Sequence, residues 1–168
     1  RFVENSQALK KLGIRSVDVV DLCYCQAIKR AMVFYQPIQG QTLRYVLQSQ
    51  ADTDEIMKRF IAFLAELHDK GVLFRSIHLN NIIVEDGLEK MGLIDIADLK
   101  IASKSLSQNV RMRNLKHLNR YKVDQESIQT FGVSRFVDIY FAASQLSPSS
   151  KPEFLARMQE AVTAEGRV

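Results

Sequence analysis

Two oxygen-bearing side chains, Asn81 and Asp95, stand fourteen residues apart in the stretch NNIIVEDGLEKMGLID. A hard divalent cation selects such donors. The apolar runs between them, NIIVED and KMGLIDI, are separated by Asp86-Gly87, a dipeptide favoured in tight hairpin turns, so one hairpin can bring both ends together. Just ahead lies Phe74-Arg75-Ser76-Ile77-His78-Leu79-Asn80, with a hydroxyl at Ser76 and an imidazole at His78. Phosphoryl transfer asks a protein for metal ligands, a group that positions the acceptor hydroxyl, and positive charge on the phosphates. Ser76 occupies the place where a carboxylate would serve, and a serine accepts no proton at neutral pH. His78 titrates near neutrality and is the first substitute, although support of the loop by hydrogen bonding is the plainer reading; Asp98 is a second.

These groups need a frame. RFVENSQALKKLG has helical spacing over Phe2, Leu9 and Leu12 and stops at Gly13. SVDVVDLCYCQAIK and RAMVFYQPIQG predict an antiparallel hairpin turning at Lys29-Arg30, and QTLRYVLQ a short helix. DTDEIMKRFIAFLAELHDKG is the longest amphipathic helix, with Asp52 and Glu55 at capping-box spacing and His68 set to pack beneath the loop that follows. Further helices are expected around VRMRNLKHLNRY, SRFVDIYFAA and PEFLARMQEAV, the last with Ser150 and Glu153 at capping-box spacing. The fold class is α+β, with helix predominating in the second half.

A long helix, a tight loop and a hairpin ending in Asp match the order of the protein-kinase pattern H-R-D-L-x-x-x-N followed by D-F-G. Asn81 and Asp95 then fall on the two magnesium positions. Within that superfamily, LHDKGVLFRSIHLNNIIV, GLIDIADLK and Asn114-Leu115-Lys116-His117-Leu118-Asn119-Arg120 together resemble the lipopolysaccharide kinase group, the Kdo/WaaP type. The resemblance implies a helical C-terminal lobe over residues 41–168 and a partial N-terminal lobe, a helix, two strands and a hinge, over residues 1–40. It also implies Mg²⁺ and ATP as cofactors, with Glu4 as the helix glutamate that meets the nucleotide lysine. Two departures set the expectation for function. Ser76 replaces the catalytic Asp and Phe74 the usual His, and no glycine-rich loop or strand lysine precedes the first helix. A degraded, pseudokinase site is therefore expected; the alternative is an active phosphotransferase acting on a sugar hydroxyl of lipopolysaccharide or another small molecule.

Bulk properties fit one globular unit: 168 residues, 46% hydrophobic, formal net charge +4. From Lys100 to Lys122 there are seven Lys/Arg and no Asp or Glu, which is more than the whole net excess. Besides a solvated helical face, that segment suits a phosphosugar or an anionic lipid surface, whereas nucleic acid is not expected because no aromatic interleaving accompanies the charge. Cys23 and Cys25 read as a small apolar pair on one strand face. With no disulfide framework, leader or apolar run long enough for a membrane span, the expected location is the cytoplasm, with peripheral contact at the inner membrane face.

Overall fold

The computed structural model describes residues 1–50, 52–85 and 90–163. The first helix, α1 (Phe2–Lys11), buries Ser6 and Leu9, and the chain then reverses through Gly13, whose φ of 69° suits a residue without a Cβ. Strands β1 (Asp18–Cys25) and β2 (Arg30–Gln36) pair antiparallel, with a bulge between Val19 and Asp21. The turn lies one step earlier than the polar pair Lys29-Arg30 suggests. The Lys29 amide closes it by donating to the Gln26 carbonyl at 3.3 Å, and Arg30 is already in register opposite Cys25.

Strands of three or four residues, too short to carry a period, complete the sheets. β3 (Gly40–Thr42) runs directly into α2 (Leu43–Ser49), where the Thr42 hydroxyl accepts from the Tyr45 amide at 3.3 Å. It pairs with β5 (Ile82–Glu85), which pairs with β6 (Met91–Leu93). Gly40 is obligatory here: a Cβ would stand 2.2 Å from the Val84 carbonyl oxygen, and φ is 141°. β4 (Val72–Phe74) pairs with β7 (Leu99–Ile101). The expected Asp86-Gly87 turn lies outside the described residues, but the flanking strands pair antiparallel as a hairpin requires.

α3 (Asp54–Asp69) is the axis of the helical part. Its stripe of Ile56, Phe60, Ile61, Leu64 and Leu67 is buried, chiefly against α6 (Val133–Ala143). α4 (Gln108–Leu115), α5 (Lys122–Phe131) and α7 (Lys151–Thr163) close around it. Leu9, Ile14 and Val17 belong to the same hydrophobic cluster as these helices. Neither expected capping box forms. Asp52 accepts from the Asp54 amide at 3.1 Å while Glu55 turns to Arg59, and the Ser150 hydroxyl donates to the Ser147 carbonyl at 2.8 Å. The basic segment is not a uniformly solvated face. Arg111 is 1% exposed and pairs with Asp69 at 2.6 Å, so its charge is matched inside the protein.

Candidate nucleotide and metal site

Chain direction explains how the loop after β4 is held. The Ile77 amide donates to Phe74 at 3.2 Å, the Asn81 amide to His78 at 2.9 Å, and a short 3-10 turn delivers Asn81 to the start of β5. Across the hairpin, the Ile94 amide donates to the Asn81 carbonyl at 3.1 Å, which ties the two strand ends together. Asn81 Nδ2 then donates to the Ser76 carbonyl at 2.9 Å and lies 3.4 Å from Asp95 Oδ2. The amide and the carboxylate thus converge on one point. Asn81 is buried, whereas Asp95 is exposed in a left-handed conformation, φ 53° and ψ 47°. Non-glycine residues rarely adopt that region unless the surroundings enforce it, and such strain gathers at functional sites.

An apolar cleft of about 420 Å³ opens beside Asp95. It is lined by Ile83 and Ile94, by Pro37 and Ile38 of the connection leaving β2, and by Phe2 and Tyr35, whose ring centroids lie 5.6 Å apart. The volume suits a flat heterocycle. With the Asn81 amide nitrogen committed to Ser76, Oδ1 remains as that side chain's metal-competent atom. Among the described residues no group of three or more His, Cys, Asp or Glu gathers as a cation site. Two oxygen donors nevertheless fit magnesium of the type that shares its coordination with water and phosphate.

The other candidate residues are placed as follows. Ser76 is half-buried in the loop. His78 rests edge-on against Tyr121 at 5.1 Å, its Nδ1 is buried without a hydrogen-bond partner among the described residues, and burial lowers its pKa, so the ring is neutral at pH 7. Asp98 pairs with Arg75 at 3.2 Å. Glu4 is 81% exposed, 3.2 Å from the Arg1 amino group, and no contact joins it to Asp95 among the described residues. Its neighbour Asn5 faces the site instead, donating to the Ile96 carbonyl at 2.7 Å and to the Leu99 carbonyl at 3.2 Å.

Two buried polar assemblies support the loop and escape a reading by motif. Asp124, fully buried in α5, takes a bidentate pair from Arg44 of α2 at 2.7 and 3.0 Å and the Leu79 amide at 3.0 Å. That hydrogen-bonded pairing raises the Arg44 pKa still further. The available signal was an acid closing a long basic run. The second assembly starts at His68, which is buried as expected. Asn114 Nδ2 donates to the Phe74 carbonyl at 2.7 Å, so its Oδ1 accepts from His68 Nε2 at 3.0 Å. His68 Nδ1 must then accept from the Tyr140 hydroxyl at 2.7 Å, whose oxygen also faces Arg111 at 3.3 Å. Every donor in this chain has an acceptor only if His68 is neutral, and burial pushes its pKa down to about 4 and that of Tyr140 up to about 12.

No family model matches the chain. Over 99 residues, 55% of its length, it is 31% identical to a probable serine/threonine-protein kinase, fnkB, of Dictyostelium discoideum. Over that stretch the chain resembles a kinase. It covers 18% of that relative's length, so the likeness concerns a small part of the larger protein. Seven α-helices and small antiparallel sheets among the described residues are compatible with such a fold. Among the same residues, no helix is long and apolar enough to cross a membrane.

Proposed function

We propose that this kinase-like chain is a nucleotide-binding relative of the lipopolysaccharide kinases whose transfer chemistry is degraded, a pseudokinase. Residues 1–40 serve as its N-lobe-like part and residues 41–168 as its C-lobe-like part. The supporting observation is the 3.4 Å approach of Asn81 to Asp95 beside the apolar cleft, with Ser76 at the position of the base. Asn81 Oδ1 and the Asp95 carboxylate would hold Mg²⁺, and the cleft would take the base of ATP. Bound together, these supply a transferable phosphoryl group and neutralise its charge. The chain's own residues do less: the Ser76 hydroxyl can hydrogen-bond an acceptor but removes no proton from it. Glu4 is proposed as the partner of a nucleotide-binding lysine. The exposed cations of the basic segment, Lys116 and Lys122 among them, are proposed to face a phosphosugar or anionic lipid at the inner membrane surface of the cytoplasm.

A thermal melt with ATP, with and without Mg²⁺, tests this reading. Ligand at a hundred times its Kd raises stability by about 2.7 kcal/mol. Metal-dependent stabilisation is expected in the parent and lost in Asp95→Asn, which keeps the shape and removes the charge. No shift at saturating nucleotide would overturn the proposal.

Active phosphotransfer is the second reading, and the neutral ring of His78 two residues beyond Ser76 favours it. If a relocated base already works, Ser76→Asp changes transfer to a sugar acceptor little. If only the carboxylate is lacking, Ser76→Asp raises transfer from background by about a hundredfold or more. A variant that binds nucleotide yet stays at background would defeat the missing-carboxylate account.

A further inference from the structure

Glu4 turns to solvent, and the polar side chain that α1 aims at the candidate site is the half-buried Asn5. Its Nδ2 meets three carbonyl oxygens, those of Ile96 at 2.7 Å, Leu99 at 3.2 Å and Ala97 at 3.4 Å. All three belong to the 3-10 turn Ile96–Asp98 or to the residue that closes it, directly after Asp95. A side-chain amide nitrogen carries two hydrogens, so the two shorter approaches use both. Converging carbonyls select a donor, and an acid in that place would set oxygen against oxygen.

The helix behind Asn5 is itself fixed. The Ser6 hydroxyl donates to the Val17 carbonyl at 2.7 Å, and Leu9 is fully buried in the core. Asp95 enters the turn with φ 53° and ψ 47°, a conformation that persists where the surroundings over-determine it. Asn5 supplies part of that constraint, because holding the Ile96 and Leu99 carbonyls fixes the course the chain must take after Asp95. We propose that Asn5 is a positioning residue for Asp95. It keeps the carboxylate turned toward Asn81 and so sets the affinity of the pair for Mg²⁺, an effect that rests on the magnesium reading of these two residues. Groups that orient metal ligands without touching the ion commonly govern affinity in this way.

Asn5→Leu keeps similar bulk and removes the donors, whereas Asn5→His returns one, since imidazole Nδ1 hangs from Cγ as the asparagine Nδ2 does. Amide exchange followed by NMR reads the turn in the ligand-free protein. In Asn5→Leu, exchange of the Leu99 amide, which donates to the Ile96 carbonyl, should quicken about tenfold while Leu64 in the core of α3 is unaffected. Asn5→His should recover most of the protection. Thermal melts at fixed ATP and rising Mg²⁺ read the site. Asn5→Leu should need about tenfold more Mg²⁺ for half the stabilisation, while the melt with ATP alone stays as in the parent relative to the ligand-free protein. Asn5→His should lie between the two. Leu99 protection or a metal requirement that ignores Asn5→Leu overturns the proposal, and so does a histidine variant no better than leucine. A parent whose melt ignores Mg²⁺ overturns the magnesium reading and the affinity role with it, and exchange without ligand still decides whether Asn5 holds the turn.

Discussion

Replacing Asp124 by alanine is expected to lower the unfolding free energy by about 3–5 kcal/mol, a large share of what a domain of this size has. The change leaves the Arg44 guanidinium, 21% exposed, without its counter-charge, and it leaves the Leu79 amide without an acceptor in a dry place. Arg44→Ala should cost a similar amount, because it strands a fully buried carboxylate. If the two residues act as one unit, the double variant is far less damaged than the sum of the single changes, and a denaturant double-mutant cycle measures that coupling. Additive losses would show that Asp124 serves the loop independently of Arg44. The site should suffer as well, since the Leu79 amide opens the 3-10 turn that delivers Asn81.

The second large effect is a loss of stability in mild acid. An ordinary imidazole titrates near 6.5 in the unfolded chain, whereas burial holds His68 at about 4 in the folded one. Between those values the unfolded state binds the extra proton, so stability is full above pH 6.5 and falls as pH drops toward 4. The interval corresponds to a loss on the order of 3 kcal/mol. His78 and His117 are shifted the same way by burial and add to the slope. Asp54, held at about 2 by Arg135 and Lys58, contributes only at lower pH. Urea denaturation at a series of pH values checks this. His68→Gln should flatten the dependence between pH 6.5 and 4 even where it lowers stability throughout. A parent equally stable at pH 7 and pH 4.5 would sink the assignment of a neutral, fully bonded His68.

What the sequence discloses follows from how each feature is encoded. The meeting of Asn81 and Asp95 is legible because two short apolar runs around a turn dipeptide can hardly place their ends elsewhere. The α3 stripe is legible because it persists over four turns. Three-residue strands such as β3, β4 and β7 are not, since an alternation needs more positions than they possess. α5 was hidden for another reason. Its inner face holds Asp124 and Gln125 beside Ile128, so a pattern reader takes a buried helix for a polar connection. Arg111 misleads in the same way, counted as surface charge although its four partners come from three other places in the chain. Capping boxes fail because the spacing is necessary but not sufficient: a nearer amide takes the Asp52 carboxylate, and the Ser150 hydroxyl donates to a nearby carbonyl instead.

The left-handed backbone at Asp95 bears on how such a protein could drift. Glycine visits that conformation freely, and asparagine and aspartate more readily than other side chains; of the three, aspartate alone is an anion. A lineage that no longer needed the charge would have a short path open to it, one exchange to asparagine that silences the position while leaving the architecture untouched.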